Sequence, residues 1–233
     1  MKNGKKLTVT YCLILLLTLM TAHYGSRAVT TIAENTPVKR KHTIIIDAGH
    51  GGVDGGATSC TGILEKEFNL QIGLRLNDLL QLLGYKTRMI RLYDESIHTK
   101  GETIAQKKAS DLKERLRITK ESDQSLLLSI HQNHFTDSRY SGAQVFFSNS
   151  EGSEILAKKL QDHLIKSLNP GSSRQIKKAQ GIWLMEHIEC TGVLIECGFL
   201  SNPEEEAKLR SREYQQKLCC VIATTTAEYL SDT

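Results

Sequence analysis

The chain has 233 residues, 39% hydrophobic and 24% charged, which is close to globular averages and excludes a chain too polar to build a core. Its formal net charge is +4, but Lys2, Lys5 and Lys6 carry three of those charges, so the remainder lacks the basic stripe of a nucleic-acid reader, and no nucleic-acid partner is expected. Six cysteines, at positions 12, 60, 190, 197, 219 and 220, have neither the paired spacing of a zinc ribbon nor the density of a disulfide scaffold, and are expected to be mostly free thiols.

Met1 to Lys6 is cationic, and Leu7 to Ala22 is an uncharged apolar run, the outline of an export signal. Ser26-Arg27-Ala28 offers a small-x-small cleavage site, and the alternative is an uncleaved anchor, so membrane contact is confined to this segment. Residues 1–28 are read as a signal peptide or membrane anchor, residues 29–41 as a linker containing Pro37, and residues 42–233 as one folded domain.

Short apolar runs predict strands at Thr43 to Asp47, Lys86 to Arg91, Ser125 to His131, Ala143 to Phe147, Ile182 to Met185 and Val193 to Glu196. Helical periodicity predicts a helix from about Glu67 to Leu83, with Phe68, Ile72, Leu76, Leu79 and Leu83 on one face and Gly84 as its stop. A second helix, about Thr103 to Glu121, aligns Ala105, Ala109, Leu112, Leu116 and Thr119. A third covers Ser153 to Leu168, and the last presents Tyr214, Leu218, Val221, Ile222 and Thr225. Cys219 and Cys220 ride on it, partly facing the core. The alternation predicts an α/β fold, a three-layer sandwich whose mostly parallel or mixed sheet of about six strands is flanked by helices.

Chemistry concentrates where these strands end. Ile44-Ile45-Ile46 runs into Asp47-Ala48-Gly49-His50-Gly51-Gly52, which puts a histidine at a glycine-rich turn after a buried strand, where α/β folds place their sites. Taken alone, a histidine there is more often structural. Leu126 to Ile130 repeats the pattern and ends in His131, and adjacent strands would bring the two ends together. Glu65, at the start of the first helix, can supply a carboxylate to the same point or can simply be a first-turn acid favoured by the helix dipole. Neighbouring Glu67 fits that local pattern equally well. Two histidines and a carboxylate around an open position form a known zinc set. Val193-Leu194-Ile195 carries Glu196 at its end. A carboxylate buried there needs an ion pair or a nearby cation, and beside a metal it can take a proton from water and deliver it to a departing amine.

The succession DAGHGGVDGGA, LEKEFNL, SIHQN, GAQVFF and VLIECGFLSNPEE resembles the zinc-dependent N-acetylmuramoyl-L-alanine amidases (type 3) of bacterial cell walls, over essentially all of His42 to Leu230. The resemblance implies Zn2+ held by His50, Glu65 and His131, Glu196 as catalytic residue, and hydrolysis of the amide joining N-acetylmuramic acid to L-alanine in peptidoglycan. Thr99-Lys100-Gly101 with Lys107, Lys108 and Asp111 to Arg115 is similar to the spore-cortex amidases of spore-forming bacteria. That likeness implies a role in cortex maturation and muramic-δ-lactam formation, and export to the cell wall or the forespore intermembrane space.

Arg115 matches a frequent family arginine and either supports the site, contacts substrate or lies on the surface. Asn133 either orients substrate or is a turn residue. His134 departs from the family pattern and is a donor to one of the metal ligands, an alternative ligand or a loop histidine near the cleft. Cys197 departs too, and strand alternation points it away from Glu196 into the core. The short Thr58 to Gly62 loop lacks the insertion with which some amidases block their own cleft, so control is expected from a partner, such as an activating lipoprotein or another sporulation protein. The rival readings are a zinc carboxypeptidase acting on cell-wall peptides and a catalytically silent peptidoglycan-binding module.

Overall fold

Strands that are apolar on both faces need cover on both sides, and the computed structural model, which describes residues 42–121 and 124–232, supplies it with helices. The leader and linker expectations fall outside the described residues. The elements run β1 (Thr43–Ala48), α1 (Glu65–Leu82), β2 (Lys86–Met89), α2 (Ile104–Thr119), β3 (Ser125–Asn133), β4 (Gln144–Phe147), α3 (Ser153–Leu168), β5 (Lys177–Lys178), α4 (Trp183–His187), β6 (Thr191–Phe199), α5 (Pro203–Arg210) and α6 (Arg212–Ser231). They build one six-stranded mixed sheet in the order β2-β1-β3-β6-β4-β5, the three-layer α/β architecture expected from the sequence. β1, β2, β3 and β6 are parallel, and β4 runs antiparallel to β6.

Alternation along each strand divides the core. Ile44, Ile46, Leu126, Leu128, Val193 and Ile195 face α1, α3 and α6 and meet Ile72, Leu76, Leu160 and Ile222. Ile45, Leu127 and Leu194 face the other way, against Ile118 of α2 and Leu184 and Met185 of α4. Cys197 and Cys219 are buried in the first layer, whereas Cys220 is exposed, and all five described cysteines are free thiols. No helix among the described residues is long and apolar enough to cross a membrane.

Ile182 to Met185, expected as a strand, forms the start of α4 instead. Leu184, Met185 and Ile188 all bury in one layer, a spacing that a helical turn satisfies and a strand does not. The Glu186 carboxylate fixes its entry by accepting from Gly181 N at 2.7 Å. The two-residue edge strand β5 carries only lysines and gave no periodic signal. α5 was also missed. Asn202 accepts from Glu204 N at 2.9 Å and Glu205 N at 3.1 Å, Pro203 opens the helix, and acids precede bases along it, all start-and-stop chemistry readable from the sequence. α2 presents a different face from the one expected: it fully buries Ser110, Asp111, Arg115, Ile118 and Thr119, while Leu112 and Leu116 are only partly buried. Ion pairs that Arg115 makes beneath the sheet end set this rotation.

β4 is held by a side chain standing in for a strand. From α3, Gln161 Oε1 accepts from Val145 N at 2.8 Å and Gln161 Nε2 donates to Ala143 O at 3.0 Å. Gln161→Leu leaves both backbone groups buried and unpaired, at about 1–3 kcal/mol each. The variant is expected to unfold at lower urea than the parent by that combined amount, measured by equilibrium denaturation.

Candidate active site

Parallel β1, β3 and β6 end together, so one rim of the sheet gathers their carboxyl-terminal residues. His131 lies opposite Glu196 in the β3–β6 register, and Asp47 lies opposite Ser129 between β1 and β3. His50 follows β1 in the left-handed region at φ 61°, which a non-glycine residue holds only when its surroundings enforce it.

Three donors enforce it. Arg91, itself 1% exposed, donates from Nε to Ala48 O at 2.8 Å and from Nη2 to Gly49 O at 3.1 Å. Asn69 Nδ2 reaches Gly49 O at 3.2 Å, and Arg115 Nη2 reaches His50 O at 2.7 Å. Every carbonyl from Ala48 to His50 is therefore tied to a side chain of another element. Gly49 lets His131 approach: a Cβ there would sit 2.2 Å from the imidazole Nε2. Gly56 gives similar room to His50 and Glu65.

Glu65, 4% exposed at the first turn of α1, bridges the histidines. Its Oε2 lies 3.1 Å from His50 Nε2 and its Oε1 2.9 Å from His131 Nδ1. Ala57 N donates to Oε2 at 3.0 Å, and Gln132 N and Asn69 Nδ2 donate to Oε1 at 3.1 and 3.2 Å. Burial works against the charged form, but the histidines outweigh it and hold the carboxyl well below its usual range. Glu67 is exposed, so the helix phase distinguishes the two acids. Asp54 Oδ2 lies 3.0 Å from His50 Nδ1 and is itself gripped by Lys108 Nζ at 2.9 Å. Burial disfavours a charged His50, yet Asp54 and Glu65 outweigh it and raise the imidazole to about 9. The spot thus attracts positive charge.

One ligand atom each from His50, Glu65 and His131 all fall within 4.8 Å of one another. The donor set, two imidazoles and a carboxylate, suits a divalent metal with an open position. Asp54 on the outer nitrogen of His50 is the usual support for a ligating imidazole. The residues fit such an ion. Glu196 stands on the strand beside His131, and its Oε2 is sealed from solvent without a hydrogen-bond partner. Burial pushes its carboxyl up to about 7, with Glu65 adding to the rise and His131 and His50 opposing it. A cavity of about 340 Å³ opens next to this cluster, lined by His50, Asp54, Lys108, Arg115, His131 and Trp183 among others.

Arg115 is 3% exposed and does not lie on the surface. It pairs with Asp47 and, at 2.5 Å, with Asp111 Oδ2. Asn133 ends β3, its carbonyl accepting from Leu200 N at 2.8 Å, and His134 is exposed on the following loop, outside the His–Glu–His cluster. The sequence reading missed Asp47, Asp54, Asn69, Arg91 and Asp111. Asp54 alone had a local signal, four residues beyond His50 in the same glycine-rich turn.

The model of the N-acetylmuramoyl-L-alanine amidase family matches residues 44–227. The chain belongs to that family. This amidase is 36% identical over 191 residues to the germination-specific N-acetylmuramoyl-L-alanine amidase of Bacillus subtilis, covering 81% of this chain and 80% of the relative. The CwlD amidase from Clostridioides difficile, solved in complex with the GerS lipoprotein, matches with a TM-score of 0.78 at 36% identity, over 82% of this chain and 99% of that one. The amidase AmiC2 of Nostoc punctiforme gives a TM-score of 0.69 at 26% identity, over 82% and 98%. The family makes the chain an enzyme that acts on peptidoglycan, and its relatives include a germination-specific amidase.

The ion pair under this amidase's site gives it an acid limit. Burial pushes the Asp47 carboxyl up, but Arg115, assisted by His131 and Ser129, holds it below the usual range. Asp47 therefore contributes stability above the unfolded value of about 3.9, and this is lost as pH falls through the lower folded value. Arg115→Ala leaves Asp47 and Asp111 buried without their cation and is expected to cost about 3–5 kcal/mol near neutrality. The difference from the parent should shrink below about pH 4, as urea melts at several pH values will measure.

Proposed function

We propose that this amidase is a zinc enzyme that hydrolyses the bond between the lactyl group of N-acetylmuramic acid and L-alanine, in preparation of spore cortex for muramic-δ-lactam. His50, Glu65 and His131 hold the metal, and Glu196 is the catalytic residue. The observation that carries this assignment is the half-buried Glu196 carboxyl, whose Oε2 is sealed from solvent without a hydrogen-bond partner, beside a His–Glu–His cluster. A buried carboxyl oxygen without a hydrogen bond is costly for stability alone and suits a group that must gain and lose a proton.

The chemistry that zinc supplies when bound is that of a Lewis acid. Glu196 takes a proton from the attacking water as oxygen bonds to the carbonyl carbon. It then delivers that proton to the L-alanine nitrogen as the carbon–nitrogen bond breaks, leaving a carboxylic acid on muramic acid and a free amine on the peptide. A carboxyl poised at about 7 can do both near neutral pH. Arg115 and Arg91 are positioning residues: through the carbonyls of Ala48, Gly49 and His50 they fix where the imidazole points.

In the same reading, residues 1–28 export the enzyme across the cytoplasmic membrane as a signal peptide or anchor, residues 29–41 link, and residues 42–233 are the catalytic domain. The cell wall or forespore intermembrane space is its location. The GerS complex of the CwlD relative supports a lipoprotein partner that activates this chain.

Glu196→Gln is expected to keep the parent's zinc content and to lose about 10²–10⁴ in turnover on purified peptidoglycan. Mass spectrometry should find stem peptides with a free L-alanine amine in the parent digest alone. Wild-type turnover by the variant would remove Glu196 from the mechanism, and release of terminal amino acids would make the enzyme a carboxypeptidase.

A further inference from the structure

A second, wider cleft of about 1270 Å³ lies on the β4 side of the sheet end, and Tyr140, Gln144, Arg174, Lys177 and Lys208 are among its lining residues. Gln144 pairs with Glu196 across β4 and β6, so the cleft adjoins the catalytic glutamate one strand over. Nothing in the mechanism above uses it.

Its most constrained side chain is Arg174. The guanidinium carbon lies 4.6 Å from the Phe199 ring centroid and 6.0 Å from that of Tyr140. Nε donates to Ser141 O at 2.7 Å and Nη1 to Gln144 Oε1 at 3.2 Å. These contacts fix the plane of the cation, while Nη2 has no partner among the described residues. A preorganised guanidinium with an open N–H edge is built to receive a carboxylate. Lys177 and Lys208 add positive charge nearby. Of the acids lining the cleft, Glu205 is already engaged, accepting from Gly142 N at 2.7 Å and Phe199 N at 3.2 Å.

The amidase's substrate has two arms, a glycan and a peptide. A sugar ring would stack on an open aromatic face, which among the cleft's lining residues only the half-exposed Tyr140 offers, whereas a fixed guanidinium pairs with a carboxylate. Only the peptide arm offers free carboxylates. The spacing agrees. Glu196 lies opposite His131 and Phe199 opposite Asn133, two residues further along β3, so β6 advances about 7 Å across this irregularity at the strand rise, and an extended peptide advances at a similar rate. A stem running along β6 from the scissile amide at Glu196 brings its second or third residue toward Arg174, which packs on Phe199.

We propose that Arg174 is a specificity-determining residue whose guanidinium binds a free carboxylate of the stem peptide, two or three residues from the scissile amide. This rests on Glu196 marking the reaction centre.

The test uses the full chain, loaded with zinc, and two soluble muropeptides: N-acetylmuramoyl tetrapeptide with its stem carboxylates free, and the same compound with them amidated. For the parent, kcat/KM should fall about tenfold on amidation, the worth of one charge-assisted contact. Arg174→Ala should treat both compounds alike at the lower value, through KM with kcat retained and zinc content unchanged, and Arg174→Lys should fall between. Indifference of the parent to amidation overturns the inference, as does an equal loss by Arg174→Ala on both compounds. Should Arg174→Ala fail to fold, the parent's preference alone decides. Peptide-free glycan strands that inhibit the parent but not Arg174→Ala would assign the cleft to sugar and overturn it as well. The assays are run with and without a GerS-type lipoprotein, and if the parent cleaves neither compound in either case, the catalytic reading falls and takes this inference with it.

Discussion

The Glu65 carboxylate is the point on which the site depends. It is almost wholly buried, it opens α1, and donors from α1 itself, the turn after β1 and the end of β3 converge on it. A buried anion without donors would be costly, so the surrounding sequence is committed to supplying them. Ala57 N and Gln132 N come from the backbone, Asn69 from the next turn of α1, and the two imidazoles complete the set. The same convergence places two neutral-capable nitrogens and one carboxylate around a single point.

The histidines in turn depend on charge buried one layer below. Arg91 and Arg115 hold the carbonyls of the His50 turn, and Asp47 and Asp111 neutralise Arg115. Asp111 is anchored again by Ser96 Oγ and Ile97 N, each at 2.8 Å, so the loop after β2 is tied into the same network. This arrangement explains why α2 buries polar residues where an amphipathic helix would bury leucines. It also explains how His50 keeps a left-handed backbone. A network of this kind contributes less to net stability than an apolar core of equal volume, and its worth lies in fixing the imidazole's direction.

Much of the fold was legible because strand alternation and helical periodicity are local signals. β1, β3 and β6 are apolar runs ending in chemistry, and α1 and α3 show clean stripes. α4 was misread since four apolar residues between breakers suit either structure, and only burial of Leu184, Met185 and Ile188 in one layer distinguishes them. In the site, His50 and His131 stood out because each ends a buried strand. Glu65 was not separable from Glu67 by local pattern, since both are first-turn acids and only the docking of α1 turns one inward. Arg115 was hidden in a charge-rich helix whose outer and inner faces differ by ion pairs made to residues far apart in the sequence, Asp47 above all. Arg91 is hidden for the same reason, its partners at Ala48, Gly49 and Lys66 being set by tertiary approach, whereas Asp54 lies within reach of His50 in the same turn.

The proposed chemistry requires the His50–Glu65–His131 group to be a metal centre whose negative charge comes from Glu65. Zinc titration of the parent and of Glu65→Gln, followed calorimetrically on the refolded full chain, tests that. The parent should bind one zinc per chain, and the variant, which keeps the shape of the side chain and loses its charge, should bind at least about tenfold more weakly while its circular dichroism is unchanged. Equal zinc affinity in the two proteins would contradict it.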